Sequence, residues 1–183
     1  MAILPIKIMG SPVLRERARD VGQPADEHRK LIGDMLDTMR EAPGVGLAAP
    51  QVGVGLRIFV WEVEDEHGAF VDPVVVERSD VTVDGEEGCL SIPGLLYEVS
   101  RADRVVVEGK DENGGAIRME ATDFLARVFQ HEMDHLDGVL FIDRLSPARR
   151  KQAIGEWRDL ILSPEGITPY RGRTSEVAPE APV

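Results

Sequence analysis

Apolar residues recur at helical spacing in three segments of the chain. Helices are predicted from about residue 25 to residue 40, from Asp123 to about Asp137, and from Ser146–Pro147 to about Leu162. In each segment the apolar positions lie three or four residues apart, so they form one face that packs against a core. The three apolar stripes are Leu31, Ile32, Met35, Leu36 and Met39; Phe124, Leu125, Val128 and Phe129; and Ala153, Ile154, Trp157, Leu160 and Ile161.

Most of the predicted strands lie between the first two helices. They cover residues 56–63, 70–77, 81–83, 97–107 and 116–121, with a short one at 140–142 after the second helix. Pro73 predicts an edge strand, and Asp111–Gly115 predicts a hairpin turn. This order indicates an α+β fold, with antiparallel strands packed around a central helix and with an N-terminal and a C-terminal helix, rather than a doubly wound parallel sheet.

Composition limits the class of protein. The 183 residues suit one compact domain, predicted over residues 1–162, and the Pro, Gly and Glu content of residues 163–183 predicts a flexible tail. Hydrophobic residues make up 43% of the chain, without an apolar run near the length of a membrane span. The net charge of −12 argues against general nucleic-acid binding. The single cysteine and the lack of a signal-peptide pattern predict a cytoplasmic protein, with neither DNA nor membrane as a partner.

The second predicted helix contains His131–His135, which reads His-Glu-Met-Asp-His. Two histidines four residues apart point to the same side of a helix, and their ring nitrogens can bind one metal ion. Glu132 then lies beside the metal as a general base within reach of a bound water. The alternative is a surface helix that contains these residues by chance, because short motifs have a real false-positive rate.

A catalytic metal ion needs a third protein ligand and an open coordination position. Phe141 stands where metzincin proteases carry a third histidine, which excludes that class. His28 and His67 lie in a polar helix and in a turn rich in Glu, Asp and Gly, so both are predicted to be solvated. Cys89, the sole cysteine, is the better candidate, although most lone cysteines are small buried apolar residues.

Three segments together resemble the motifs of the peptide deformylase family. They are Gly44–Gln51 (GVGLAAPQ), Glu87–Ser91 (EGCLS) and His131–His135 (HEMDH), in the family's order and at similar separations. The similarity runs from Gly10–Arg15 to about Leu145, which is most of the chain. Any one of these motifs is weak to moderate evidence, whereas three intact motifs in order are strong evidence.

The resemblance implies a metal-dependent hydrolase that removes the N-formyl group from the N-terminal formylmethionine of nascent polypeptides and releases formate. The metal ligands that it implies are Cys89, His131 and His135. A water molecule activated by the metal would attack the formyl carbon, and Glu132 would take its proton and return it to the leaving amine. The Gln51 amide and the Leu90 backbone N–H would stabilise the oxyanion.

Methionine selectivity needs an apolar slot beside the metal. By position in the resemblance, Val45, Phe124 and Val128 form that slot, and Gly46 contacts the main chain of the substrate. Arg127 lies on or near the same helical face. Its aliphatic stem is predicted to form a wall of the slot while its charged head reaches water.

The identity of the metal is a point of conflict. A Cys-His-His set with an open position suggests zinc from ligand chemistry alone. The resemblance implies Fe2+ in cells, one ion per chain, with Zn2+, Ni2+ or Co2+ able to replace it.

The basic run Arg149–Lys151 allows two interpretations. Short charge runs are usually solvated faces. The sharper hypothesis is contact with ribosomal RNA near the exit tunnel, since the family meets nascent chains at the ribosome.

Two other functions stay open at this point. A zinc endopeptidase would cleave internal bonds and be indifferent to a formyl group. A non-catalytic, metal-stabilised binding domain would hold its metal without a vacant coordination position, and it would have no need of Gln51 or Glu132.

Overall fold

Three α-helices and seven β-strands form the part of the chain that the computed structural model describes, residues 2–163 and 166. The helices are α1 (Asp26–Glu41), α2 (Asp123–Leu136) and α3 (Pro147–Leu162). The strands are β1 (Gly46–Ala48), β2 (Ile58–Val63), β3 (Glu66–Arg78), β4 (Thr82–Cys89), β5 (Ile92–Ala102), β6 (Arg104–Lys110) and β7 (Ala116–Thr122). The α+β prediction and the three predicted helices are confirmed.

The strands form two separate antiparallel sheets. One sheet has five strands in the order β1-β2-β3-β6-β7, and the other is the two-stranded hairpin β4–β5. The single strand predicted over residues 97–107 is wrong, because the chain leaves the hairpin after Ala102 and enters the larger sheet at Arg104. The strand predicted at 140–142 is also wrong, since Phe141–Arg144 form a short 3-10 helix.

Pro73 lies in a central strand, so the prediction of an edge strand is wrong. Strand β3 pairs with β2 as far as Val71, and its register with β6 shifts between Val71 and Val74. Pro73 therefore falls at an irregularity, where regular ladder pairing is interrupted on both sides. A proline lacks the N–H that a regular ladder requires, and this local break accommodates it.

Helix α2 lies against the five-stranded sheet through a cluster of aromatic rings. Phe129 is fully buried, and its ring centroid lies 5.6 Å from that of Phe59, 5.3 Å from Trp61 and 5.5 Å from Phe70. The edge-to-face and tilted arrangements are those that aromatic quadrupoles favour. This packing fixes the helix that carries the two histidines.

The other two helices pack at different places. Helix α1 buries Ile32, Met35 and Met39 against β1 and β2, as its apolar stripe predicts. Helix α3 packs on β5 mainly through Ala153 and Trp157. The stripe predicted for α3 is only partly buried, because Ile154 and Ile161 are exposed.

The predicted domain boundary and tail are not tested by the structure. Of residues 163–183, only Ser163 and Gly166 lie within the described residues. In the part of the chain that is described, none of the helices is both long enough and apolar enough to cross a bilayer.

Candidate metal centre and active site

Cys89, His131 and His135 meet at one point. One possible ligand atom from each lies within 4.8 Å of the others. The Cys89 Sγ atom is 3.2 Å from His135 Nε2, and the two imidazole centroids are 5.0 Å apart. One sulfur and two imidazole nitrogens are the donors that zinc and similar transition metals accept in proteins. The three residues therefore fit a divalent metal ion.

Local backbone geometry explains why these side chains converge. The two histidines are adjacent on one side of α2 because they are one turn apart. The register of the β4–β5 hairpin shifts between Glu87 and Cys89. Such irregularities commonly re-aim a side chain. Beyond the shift, the backbone N–H of Ser91 donates to the Cys89 sulfur at 3.4 Å.

Glu132 is buried beside this cluster, with 3% of its surface exposed. Its Oε2 atom has no hydrogen-bond partner among the described residues. Burial raises the pKa of Glu132 to about 7. A Cβ atom at Gly46 would collide with Oε1 of Glu132, so only glycine lets the β1 main chain lie against this carboxylate. The free oxygen of a buried carboxylate marks a place for a polar ligand.

The Gln51 amide is held in one orientation. Its Oε1 atom accepts a hydrogen bond from the Ala48 N–H at 2.8 Å. Its Nε2 group donates to Ser91 Oγ at 3.2 Å and lies 3.6 Å from the Cys89 sulfur. The N–H end of the amide is therefore directed toward the Cys-His-His cluster, where a donor can stabilise developing negative charge.

The N-terminal segment supports the backbone of two motifs. The Lys7 N–H donates to the Gln51 carbonyl and the Met9 N–H donates to the Ser91 carbonyl, each at 2.7 Å. These two bonds attach separate parts of the site to one extended stretch of chain. The positions of the Gln51 and Ser91 backbones are therefore coupled.

A cavity of about 660 Å³ opens onto the cluster. The predicted site residues that line it are Val45, Gly46, Gln51, Cys89, Leu90, Phe124, Arg127, Val128, His131 and Glu132. Val128 is 4% exposed, whereas Val45 is 42% and Phe124 is 51% exposed, which places the first within the cavity and the other two toward solvent. His135, at 1% exposed, lies behind this surface.

The prediction that the charged head of Arg127 reaches water is wrong. It donates to the carbonyls of Val83 and Val99 at 2.7 Å, and to Oε1 of Glu87 at 2.8 Å. Only 11% of its side chain is exposed. The hairpin carbonyls and the Glu87 carboxylate replace water around the guanidinium, so Arg127 fastens α2 to the hairpin.

Glu87 is a buried carboxylate that sequence reasoning missed. Its Oε2 atom is 3.0 Å from His131 Nδ1. Burial alone raises the pKa of Glu87, but hydrogen bonds from Arg101 and His131 outweigh it and lower the pKa to about 2. Glu87 is therefore an anion that orients the His131 ring.

Two further residues of the site were missed, Ser91 and Arg101. Glu87 and Ser91 flank Cys89 within the Glu87–Ser91 motif, and this position could have identified both as site residues. The signal for Arg101 was its place in a strand: Tyr97, Val99 and Arg101 alternate with exposed residues, so the alternation puts a charged side chain on the buried face.

Comparisons with known proteins give a consistent answer. A family model described as polypeptide deformylase matches residues 3–151. A peptide deformylase of Acidothermus cellulolyticus is 52% identical over 159 residues, which is 87% of this chain and 88% of that protein. A peptide deformylase of a Parafrankia species is 45% identical over 166 residues, 90% of this chain and 91% of that protein.

Solved structures agree with the sequence relatives. The peptide deformylase of Thermus thermophilus superposes with a TM-score of 0.81 at 46% identity, covering 85% of this chain and 93% of that one. The peptide deformylase of Ehrlichia chaffeensis in complex with actinonin gives a TM-score of 0.85 at 34% identity, covering 89% of this chain and 100% of that one.

Proposed function

The chain belongs to the peptide deformylase family, a hydrolase family that acts on the formylmethionine amide of nascent polypeptides, and on that premise we propose which of its residues perform the reaction. The observation that supports the assignment is one cavity lined by Cys89, His131, Glu132 and Gln51, with His135 completing the Cys-His-His cluster behind it. An endopeptidase and a non-catalytic binding domain, the two alternatives left open by the sequence, are set aside by the family match.

Cys89, His131 and His135 are the residues that would hold the metal. A divalent ion held there would supply Lewis-acid chemistry, which would polarise the formyl carbonyl and lower the pKa of a water molecule. We propose Fe2+ as the native ion, with Zn2+, Ni2+ and Co2+ as substitutes. The thiolate and imidazole donors suit each of these ions, so the family resemblance carries the choice of iron. Inactivation in air, prevented by anaerobic handling and absent from the Ni2+ form, would support iron.

Glu132 acts as the general base and then the general acid. Glu132 lines the cavity, and its buried Oε2 atom has no hydrogen-bond partner among the described residues, so its carboxylate can accept a hydrogen bond from a substrate water. It takes a proton from that water and delivers it to the amine that leaves as the new N-terminus. Gly46 makes this position possible because it leaves room for the carboxylate.

Gln51 stabilises the oxyanion that forms from the formyl oxygen. Its Nε2 group already points at the cluster, so little reorganisation is needed during the reaction. Leu90, between Cys89 and Ser91, supplies the second donor through its backbone N–H in this assignment. Both donors act on charge that exists only after water attacks.

The methionine side chain occupies the apolar part of the cavity. Val128 lies within it, and Val45 and Phe124 stand toward its mouth. The Gly46 main chain is positioned to contact the substrate backbone. Arg127 holds this part of the cavity wall in place through its hydrogen bonds to the hairpin.

Formate release tests the function directly. Anaerobically iron-loaded protein is mixed with formyl-Met-Ala-Ser, and a parallel reaction contains the acetylated peptide. We expect rapid formate release from the first peptide and no change in the second. Protein with confirmed bound metal that releases no formate would contradict the proposal.

The ribosome is the proposed macromolecular partner, and we propose the cytoplasm as the location because formylated nascent chains are the substrate. Within the basic run, Arg150 donates to Asp143 at 3.0 Å and Arg149 lies 3.8 Å from Glu98. Lys151 is exposed. The internal pairing of two charges favours a solvated face, so a ribosomal contact would rest mainly on Lys151. Replacing all three basic residues and measuring salt-dependent pelleting with ribosomes tests this contact, and unchanged pelleting would exclude it.

A further inference from the structure

Three buried charged side chains lie next to the Cys-His-His cluster and have no part in the proposed reaction steps. Glu87 and Arg101 are each 5% exposed, and Asp134 is 7% exposed. Arg101 donates to both oxygens of Glu87, from Nε at 2.8 Å and from Nη2 at 2.9 Å. Its Nη1 group donates to Asp134 Oδ2 at 2.6 Å. Buried ions are costly unless fully paired, so this arrangement calls for a reason beyond stability.

Each carboxylate bound by Arg101 is adjacent to a metal-ligand candidate. Glu87 precedes Cys89 by two residues, and its Oε2 atom is 3.0 Å from His131 Nδ1. Asp134 directly precedes His135 on α2. One guanidinium on β5 is therefore connected to the neighbourhood of all three ligand side chains.

The topology gives a reason for contacts between the β4–β5 hairpin and α2. Cys89 comes from the β4–β5 hairpin, whereas both histidines come from α2, which packs on the other sheet. No strand pairing joins the hairpin to the five-stranded sheet in the described residues. Side-chain contacts between the hairpin and α2 therefore help to set the distance between the Cys89 sulfur and the two imidazoles. Arg101 supplies the most deeply buried of these ionic contacts.

We propose that Arg101 is a positioning residue for the metal centre. It holds Glu87 against His131 Nδ1, which leaves the other ring nitrogen of His131 for the metal. Through Asp134 it also fixes α2 against the hairpin, which sets Cys89 at its distance from the two histidines. The inference rests on the proposed metal site and is independent of the proposed substrate.

Arg57 provides a matched control. It is 6% exposed, and it also contacts the end of α2, where it donates to the Leu136 carbonyl at 3.3 Å and to Asp137 at 2.8 Å. The other polar contacts of its side chain within the described residues are the Pro73 carbonyl and Asp20, which lie away from the metal-ligand candidates in the chain. Arg57→Met therefore removes a buried arginine that contacts the C-terminal end of α2 but not Glu87, the carboxylate beside His131.

The test measures how Co2+-loaded protein loses its metal to a chelator, together with the visible absorption of the bound Co2+. Substituting a residue that orients metal ligands typically weakens metal binding about 10- to 100-fold, so Arg101→Met is expected to fall in that range and to alter the spectrum. Arg57→Met is expected to keep the wild-type affinity and spectrum while losing stability. Arg101→Lys keeps the charge but lacks the planar fork, so it should lie between wild type and Arg101→Met.

Three results from the variants would overturn the inference. The first is Arg101→Met with wild-type Co2+ affinity and spectrum, and the second is an equal loss of affinity in Arg57→Met. The third applies if Arg101→Met does not fold. Arg101→Lys is then the variant to test, and wild-type Co2+ retention by Arg101→Lys would overturn the inference. A wild-type protein that binds no Co2+ would overturn the metal site and this inference with it, whereas absent formate release from metal-loaded protein would affect only the proposed substrate.

Discussion

The two sides of helix α2 are built by different interactions. The side that faces the five-stranded sheet is apolar, with Phe129 packed among Phe59, Trp61 and Phe70. The side that faces the hairpin carries His131 and Asp134, together with their charged partners. Apolar packing tolerates many shapes of similar volume, whereas buried hydrogen bonds and ion pairs require particular atoms at particular angles. The sheet side is therefore expected to contribute most of the stability, whereas the proposed chemistry lies on the hairpin side.

Glu132→Gln should have the largest effect on activity while leaving the sheet side untouched. A positioned general acid–base group is worth about 10²- to 10⁴-fold in rate, so we expect a loss of kcat on the order of a thousandfold. The measurement is formate release per metal-loaded molecule, with the melting temperature as the control. Substantial residual turnover would show that another group moves the proton.

Phe129→Ala tests the opposite side. Loss of a fully buried aromatic ring in a core typically costs about 3–5 kcal/mol of unfolding free energy, because it leaves a cavity among the surrounding rings. Denaturant unfolding measures this cost, and Phe129→Leu should lose less. Activity per folded molecule should fall far less than in Glu132→Gln. A parallel collapse of activity in protein that remains folded would show that the two sides of α2 are not separable.

Gln51→Ala removes the oriented amide. One donor to a developing oxyanion is worth about 3 kcal/mol, so the rate should fall on the order of a hundredfold. Because the proposed role of Gln51 is to stabilise charge in the transition state, the change should appear in kcat rather than in KM. Ser91→Ala is the comparison variant, since it removes only the acceptor that orients the amide, and its loss should be smaller. Equal rates for wild type and Gln51→Ala would remove Gln51 from the mechanism.

Arg118→Ala should have the smallest effect. Arg118 lies far along the larger sheet and pairs with Glu77 and Glu108, but each of these side chains is about half exposed. Exposed ion pairs contribute little, since water and salt screen them. Neither the unfolding midpoint nor formate release should change measurably. A clear drop in either would show that this surface network is coupled to the core.

Sequence reasoning succeeded where the relevant information is local. The period of α2 and the one-turn spacing of His131 and His135 are both contained within fourteen residues. It failed where the answer depends on distant pairing, as for Arg127, whose head binds carbonyls of both hairpin strands. Pro73 shows the same limit, because only the pairing of β3 with its two neighbours reveals the irregularity that accommodates a proline.

The two tryptophans of the chain are distributed so that intrinsic fluorescence can monitor two regions separately. Trp61 is 4% exposed and touches Phe129 beneath α2, and Trp157 is 5% exposed among the residues that join α3 to the hairpin. In a Trp157→Phe background, a red shift of the emission reports water entering the aromatic cluster. In a Trp61→Phe background, the same shift reports the separation of α3 from the hairpin. The protein thus carries two built-in optical probes, and the order of their shifts during unfolding gives the order in which the regions open.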